Sequence, residues 1–197
     1  MNTPNKLTVA RIIATPVFML TMLIDFPYHY TVSLILFILA SLTDMIDGKM
    51  ARKYNLVTDF GKFLDPLADK MLTTAAFLGF ISMYADKKAF CWQLAGITFI
   101  VLFREFLVSS LRLVVVSSGG KVIAANIWGK SKTVSQMIGI IFAIAVYAAK
   151  EFISLSGGAL AVLDIVILTV FWISAVLCVI SGAIYLADSK EYIDPSK

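Results

Sequence analysis

Six stretches of about 20 predominantly apolar residues follow one another along this 197-residue chain, at 7–26, 31–50, 64–84, 90–116, 131–149 and 159–187. A hydrocarbon layer roughly 30 Å thick is crossed by about 20 helical residues, and within it each crossing element must satisfy its own backbone N–H and C=O groups. Each stretch therefore reads as a transmembrane helix. The breaks at 27–28, 51–62, 86–88, 117–130 and 154–158 are too short for a separate soluble domain, so one membrane domain is expected over 1–197. A cleavable leader is the alternative for the first stretch. It lacks a convincing small-residue cleavage site and five more spans follow, which favours a true span.

Composition closes off other classes. Apolar residues make up 59% and charged residues 15%, against about 25% charged in a soluble domain. Cys91 and Cys178 are far apart and both apolar in context, and His29 is the sole histidine. Disulfide frameworks, thiolate metal sites and paired-histidine relays are thereby excluded. No nucleic-acid partner is expected. Any chemistry here is carboxylate chemistry.

Basic residues set the orientation, because loops facing the cytoplasm retain Lys and Arg. With six spans both termini share a side. That side holds Lys6, Arg11, Lys49, Arg52, Lys53, Lys62, Arg112, Lys121, Lys130, Lys132, Lys190 and Lys197, whereas the other holds Lys87, Lys88 and Lys150. The termini and the second and fourth loops are expected in the cytoplasm. Tyr28, Tyr30, Tyr84 and Trp92 would then mark the outer interface, and Tyr54, Trp128 and Tyr185 the inner one.

The segment 43–70 carries most of the information. Asp44, Asp47 and Ala51 lie three and four residues apart, and Gly61, Asp65 and Asp69 are spaced by four, so each set shares one helix face. A ten-residue connection predicts that the two helices are antiparallel neighbours, bringing four carboxylates together near one membrane surface. Burying four uncompensated acids is expensive, and a divalent cation is the simplest neutraliser. Oxygen-only ligation favours Mg²⁺, then Mn²⁺, and a two-ion site. Small residues Gly48, Ala51 and Gly61 on or beside that face would let a ligand approach the backbone, and Arg52 and Lys53 stand at the rim for phosphate charge. The alternative is ordinary pairing of the acids with Lys49, Arg52, Lys62 and Lys70. Four acids in two matched rows favour the site. Pro66 would mark a first turn or a kink.

The pattern Asp-x2-Asp-Gly-x2-Ala-Arg-x8-Gly-x3-Asp-x3-Asp, filled by Asp44, Asp47, Gly48, Ala51, Arg52, Gly61, Asp65 and Asp69, resembles the signature of the CDP-alcohol phosphotransferases. The resemblance implies an all-α polytopic fold of six transmembrane helices around a cytoplasm-facing polar cavity, often a homodimer. It also implies two divalent ions on the four aspartates and displacement of CMP from a CDP-linked lipid by an alcohol. Stretches 4–11, 63–70, 104–105, 110–112 and 128–133 are similar to the branch of the family whose donor is CDP-diacylglycerol and whose acceptor is sn-glycerol 3-phosphate. That branch implies an enzyme of phospholipid biosynthesis in the bacterial cytoplasmic membrane.

Roles can then be assigned as expectations. Asp69, last in the motif, is the candidate general base, following the role proposed for this position in the family, with Asp44, Asp47 and Asp65 chiefly metal ligands. Asn5, Thr8 and Arg11 open the first span and could contact the cytidine or its phosphate; capping and snorkelling are the alternatives. Arg104, inside a span, with Arg112, Lys130 and Lys132 could form a pocket for the acceptor phosphate. The alternative for Arg104 is an internal pair with Glu105 or an aspartate, although sequence neighbours do not face each other on a helix. Lys121 reads as a surface charge and Asp59 as solvated, while His29 and Asp164 map to the outer side as structural or interfacial groups. Gly139 and Gly182 would permit close helix packing. Serine, inositol phosphate or phosphatidylglycerol as acceptor is the nearest competing function, and a divalent-cation or proton-coupled transporter the more distant one.

Overall fold

A computed structural model of the chain describes residues 1–54, 56, 58–118, 127–154 and 156–190, leaving aside the side chains of residues 51, 52, 59 and 62. Six helices follow in order: α1 (Thr3–Leu23), α2 (His29–Lys53), α3 (Asp59–Met83), α4 (Lys88–Ser117), α5 (Ile127–Lys150) and α6 (Gly157–Asp188). Among the described residues there is no strand. Four helices are long and apolar enough to cross a membrane by length and composition alone: α1, α2 over His29–Met50, α5 and α6. The other two, α3 and α4, carry the charged residues Asp65, Asp69, Lys70, Arg104 and Glu105 along their length. The chain is an all-helical polytopic membrane protein.

Helices α1, α3 and α6 begin before their apolar stretches, at capping side chains. Helix α1 starts at Thr3, where the Asn2 side chain accepts the Asn5 N–H at 3.1 Å. Helix α3 starts where the Thr58 hydroxyl accepts the Gly61 N–H at 3.0 Å. Helix α2 lacks a local cap: Tyr28 sits there in the left-handed region at φ 63°. Glu151 serves from beyond α5 instead, its carboxylate accepting the N–H groups of Tyr30 at 2.8 Å and Thr31 at 3.1 Å. A carboxylate there also meets the positive end of the helix dipole. Pro66 lies well inside α3, as Pro16 does inside α1.

Helix α1 is the packing partner of both α2 and α3, which touch each other only slightly. This corrects the expected pairing of α2 and α3 as direct neighbours. A short loop makes two helices antiparallel without making them adjacent, and α1 fills the space between them. Helix α6 packs on α4 and α5, and α5 also packs on α2. The core runs through Phe18, Phe37, Phe77, Phe80, Ile97, Ile140, Ile144 and Phe171, all at most 1% exposed. Gly139 lets α6 close on α5: a Cβ there would stand 3.0 Å from Phe171 and Val170. Gly182 likewise faces the Arg104 stem, at 3.2 Å. Both glycines serve contacts within the chain.

Two of the expected interface aromatics are core residues. Tyr84 and Tyr185 are 2% and 5% exposed: the Tyr84 hydroxyl donates to Asp164 inside the bundle, and Tyr185 packs with Val108 and Leu111. Tyr28, Tyr54, Trp92 and Trp128 are exposed as expected.

Candidate active site

Helix α1 supplies what the two aspartate rows lack. Asp44 and Asp47 lie on α2, Asp65 and Asp69 on α3, and between them α1 presents Thr8 and Arg11 one turn apart. The Arg11 guanidinium, its side chain wholly buried, donates to Asp44 Oδ1 at 2.5 Å and through its other terminal nitrogen to Asp47 Oδ2. The Thr8 hydroxyl donates to Asp65 Oδ1 at 2.8 Å and lies 3.4 Å from Asp47 Oδ2. Asp47 and Asp65, on different helices, therefore flank one hydroxyl. Among the described residues no side chain hydrogen-bonds to the Asp69 carboxylate. Asp69 sits within electrostatic reach of Asp44, Lys132, Glu105 and Arg11.

The rim is built by the start of α1 meeting the start of α3. The Asn5 amide donates to the Thr58 hydroxyl at 2.9 Å, and Asn2 to the Leu56 carbonyl at 2.7 Å. A Cβ on Gly61 would stand 2.8 Å from Asn5 Oδ1, so a larger residue there would displace the Asn5 amide from its present place. The cap of α1 is thus Asn2, leaving Asn5 and Thr8 for cross-helix contacts. Gly48 follows Asp47 on α2. The side chains of Ala51, Arg52, Asp59 and Lys62, and the whole of Lys121, lie outside the described residues.

A second cluster lies on α4 and α5. Glu105 accepts from Arg104 Nη1 at 3.0 Å and from the Lys132 ammonium, and its other oxygen lies 4.0 Å from Lys70 Nζ. Arg104 also donates to Ser181 of α6 at 2.7 Å, and Lys70 to Ser109 of α4. The flexible arginine stem folds back along its own helix, which defeats the rule that sequence neighbours do not meet. Lys70 turns away from the aspartates towards α4, contrary to the simple-pairing alternative. Arg112 and Lys130 are exposed, Arg112 lying 5.9 Å over the Tyr185 ring. The structure brings Arg104 and Lys132 together and leaves Arg112 and Lys130 at the surface.

Asp164 and His29, expected to be structural or interfacial, both have partners within the chain. Asp164, 1% exposed, accepts from Tyr84 at 2.6 Å, Tyr147 at 2.7 Å and Lys87 at 2.6 Å. His29 Nδ1 lies 3.2 Å from the Thr21 carbonyl across the α1–α2 turn. Sequence spacing could not show the meeting of Arg11 with Asp44 and Asp47, or of Glu105 with Lys132. Its nearest signal was an unpaired charge inside each apolar helix.

Carboxylates without imidazole or thiolate are the ligand chemistry that a hard divalent cation takes, completed by water and phosphate oxygens. Among the described residues no three acidic, histidine or cysteine side chains converge into a coordination shell by themselves. The positive charge between Asp44 and Asp47 is that of Arg11.

A carboxylate-lined site between the first three helices of a polytopic bundle, in the Asp-x2-Asp-Gly…Asp-x3-Asp frame, defines a class, and the sequence matches it. The chain belongs to the CDP-alcohol phosphatidyltransferase family, matched over residues 1–180. It is 38% identical to the CDP-diacylglycerol–glycerol-3-phosphate 3-phosphatidyltransferase of Bacillus subtilis, over 99% of this chain and 98% of that one. It is 40% identical to the protein of the same name from Rickettsia bellii, over 97% of both chains. To a probable phosphatidylglycerophosphate synthase of Mycobacterium tuberculosis it is 38% identical, over 71% of this chain and 64% of that one.

Proposed function

We propose that this protein transfers the phosphatidyl group of CDP-diacylglycerol to sn-glycerol 3-phosphate, giving phosphatidylglycerophosphate and CMP. The observation that carries the reading is the convergence of Asp47 and Asp65 from different helices on Thr8, with the other two aspartates in the same rows. The names of relatives that align along nearly the whole chain support the choice of substrates. In this reading the enzyme works in the cytoplasmic membrane as a homodimer, with its termini and site toward the cytoplasm. The Lys and Arg bias supports that orientation, and the family resemblance supports the dimer.

Asp44, Asp47, Asp65 and Asp69 would hold Mg²⁺ or Mn²⁺, two ions in the family pattern; when bound, such ions neutralise pyrophosphate charge and polarise the attacked phosphorus. Asn5, Thr8, Gly48, Ala51, Arg52 and Gly61 would line the donor side, where small residues admit the nucleotide close to the backbone. Acyl chains stay in the lipid, which explains why the site is embedded. Asp69 takes the proton of the acceptor hydroxyl as its oxygen bonds to the phosphorus bearing diacylglycerol. The bridging P–O bond of the pyrophosphate breaks and its electron pair leaves on CMP. Arg104 and Lys132, with Arg112 and Lys130 nearer the surface, would receive the acceptor phosphate.

An acceptor panel tests this. Purified protein with Mg²⁺ and CDP-diacylglycerol should release CMP with glycerol 3-phosphate. Release only with serine, inositol phosphate or phosphatidylglycerol would reassign the acceptor, and metal flux into liposomes without CMP release would point to a transporter.

A further inference from the structure

Glu105 is a partly buried acid in the second charge cluster, its side chain 18% exposed, and the chemistry above gives it no task. Its carboxylate gathers cations from three helices: Lys70 of α3, Arg104 of its own α4 and Lys132 of α5. Helix α4 packs on α3 and α6, and α5 packs on α2 and α6, so the Lys132–Glu105 bond joins two helices whose main packing is elsewhere. Lys132 and Arg104 are 8% and 13% exposed at the side chain. A long cationic side chain held this deep has few alternatives to the partner that fixes it. The Arg104 Nε is buried without a partner among the described residues. One donor of the cluster is therefore uncommitted.

The charge sum is informative. Within the ion-paired group three cations stand against one carboxylate, with Asp69 in electrostatic reach of Lys132, so net positive charge remains for a phosphate monoester, which carries about two negative charges near neutral pH. We propose that Glu105 is a positioning residue for the acceptor site: it holds Lys132 and Arg104 in place and trims the cluster to the charge of a phosphorylated alcohol. This rests on the proposed reaction and deepens it, since it ties a dianionic acceptor to a group that never touches the reacting atoms. A surplus of uncompensated cation would hold any anion, including the phosphorylated product. A cluster without its central carboxylate would let the lysine and the arginine swing apart.

Steady-state kinetics of Glu105→Gln test the assignment in the full-length enzyme. The expected result is a rise in KM for glycerol 3-phosphate of about tenfold, the scale of removing one charge-assisted hydrogen bond. The KM for CDP-diacylglycerol should stay within about twofold. Lys132→Met and the double variant decide how the effect travels. If Glu105 acts through Lys132, the double variant is no worse than Lys132→Met alone. Equal changes in both KM values, no change in either, or strictly additive variants would overturn the proposal. Should Glu105→Gln fail to fold, Glu105→Asp keeps the charge with a shorter reach. It should raise the acceptor KM by a smaller factor, and an unchanged KM would again overturn the assignment. Failure of the proposed reaction shows separately, in the wild type's acceptor panel before any substitution. If the wild type prefers an unphosphorylated acceptor, both readings fall. If it uses glycerol 3-phosphate and Glu105→Gln leaves its KM unmoved, only this one does.

Discussion

Asp164 and Asp47 are both almost completely buried, at 1% and 3% exposure, yet the surroundings of the two acids follow opposite rules. Asp164 collects two tyrosine hydroxyls and a lysine, all within 2.7 Å, and its cluster is closed. Asp47 shares the Arg11 guanidinium with Asp44 and the Thr8 hydroxyl with Asp65. Among the described side chains, four acids at that end divide one arginine and one threonine. A buried acid whose two oxygens both accept from donors within the chain stabilises a fold. A group of acids whose charge exceeds its internal partners is held for something that arrives from outside.

The contrast breaks first at Asp69. Asp69→Asn should lower turnover by about a thousandfold, the scale of a lost general base, while donor binding and the unfolding temperature hold. CMP release and thermal unfolding in detergent read both, and near-normal turnover would remove the base from Asp69. Asp44→Asn tests the ligand role. The Mg²⁺ or Mn²⁺ concentration giving half-maximal rate should rise by about 10- to 100-fold, with saturating metal restoring part of the rate; an unchanged metal titration would take Asp44 out of the ligand set. The smallest expected effect on rate comes from Asp164→Asn. It should leave CMP release within about threefold and cost stability instead, on the order of 2 kcal/mol for a buried acceptor no longer matched to its donors. If Asp164→Asn abolished activity at unchanged stability, the division between a closed and an open acid cluster would be wrong.

Much of the site was legible in the sequence because it obeys helical periodicity. Asp44 with Asp47 and Asp65 with Asp69 share faces whatever the helices pack against, and Gly61 stands one turn before Asp65 for the same reason. The Asn5 contact with Thr58 and the pairing of Glu105 with Lys132 were not legible. They join residues 53 and 27 positions apart, and nothing local fixes which face of one helix meets which face of another. The aromatic residues show the same division: Trp92 is exposed, as an interface residue would be, but Tyr84 is buried because its hydroxyl is claimed by Asp164 from α6.

The sequence alone determined that the chain is a bundle of apolar helices, where those helices lie, and that two of them carry matched rows of carboxylates. Apolar length and three-to-four residue spacing are properties of a single helix, and a membrane leaves few other structures for them. Only the tertiary structure decided that α1 lies between the two rows and lends them Thr8 and Arg11. It also decided that Asp164 is closed off by tyrosines and that Glu105 gathers Lys70, Arg104 and Lys132. Those outcomes depend on which side chains interlock when the helices pack, and that is settled by shape and charge across the bundle rather than along any one helix.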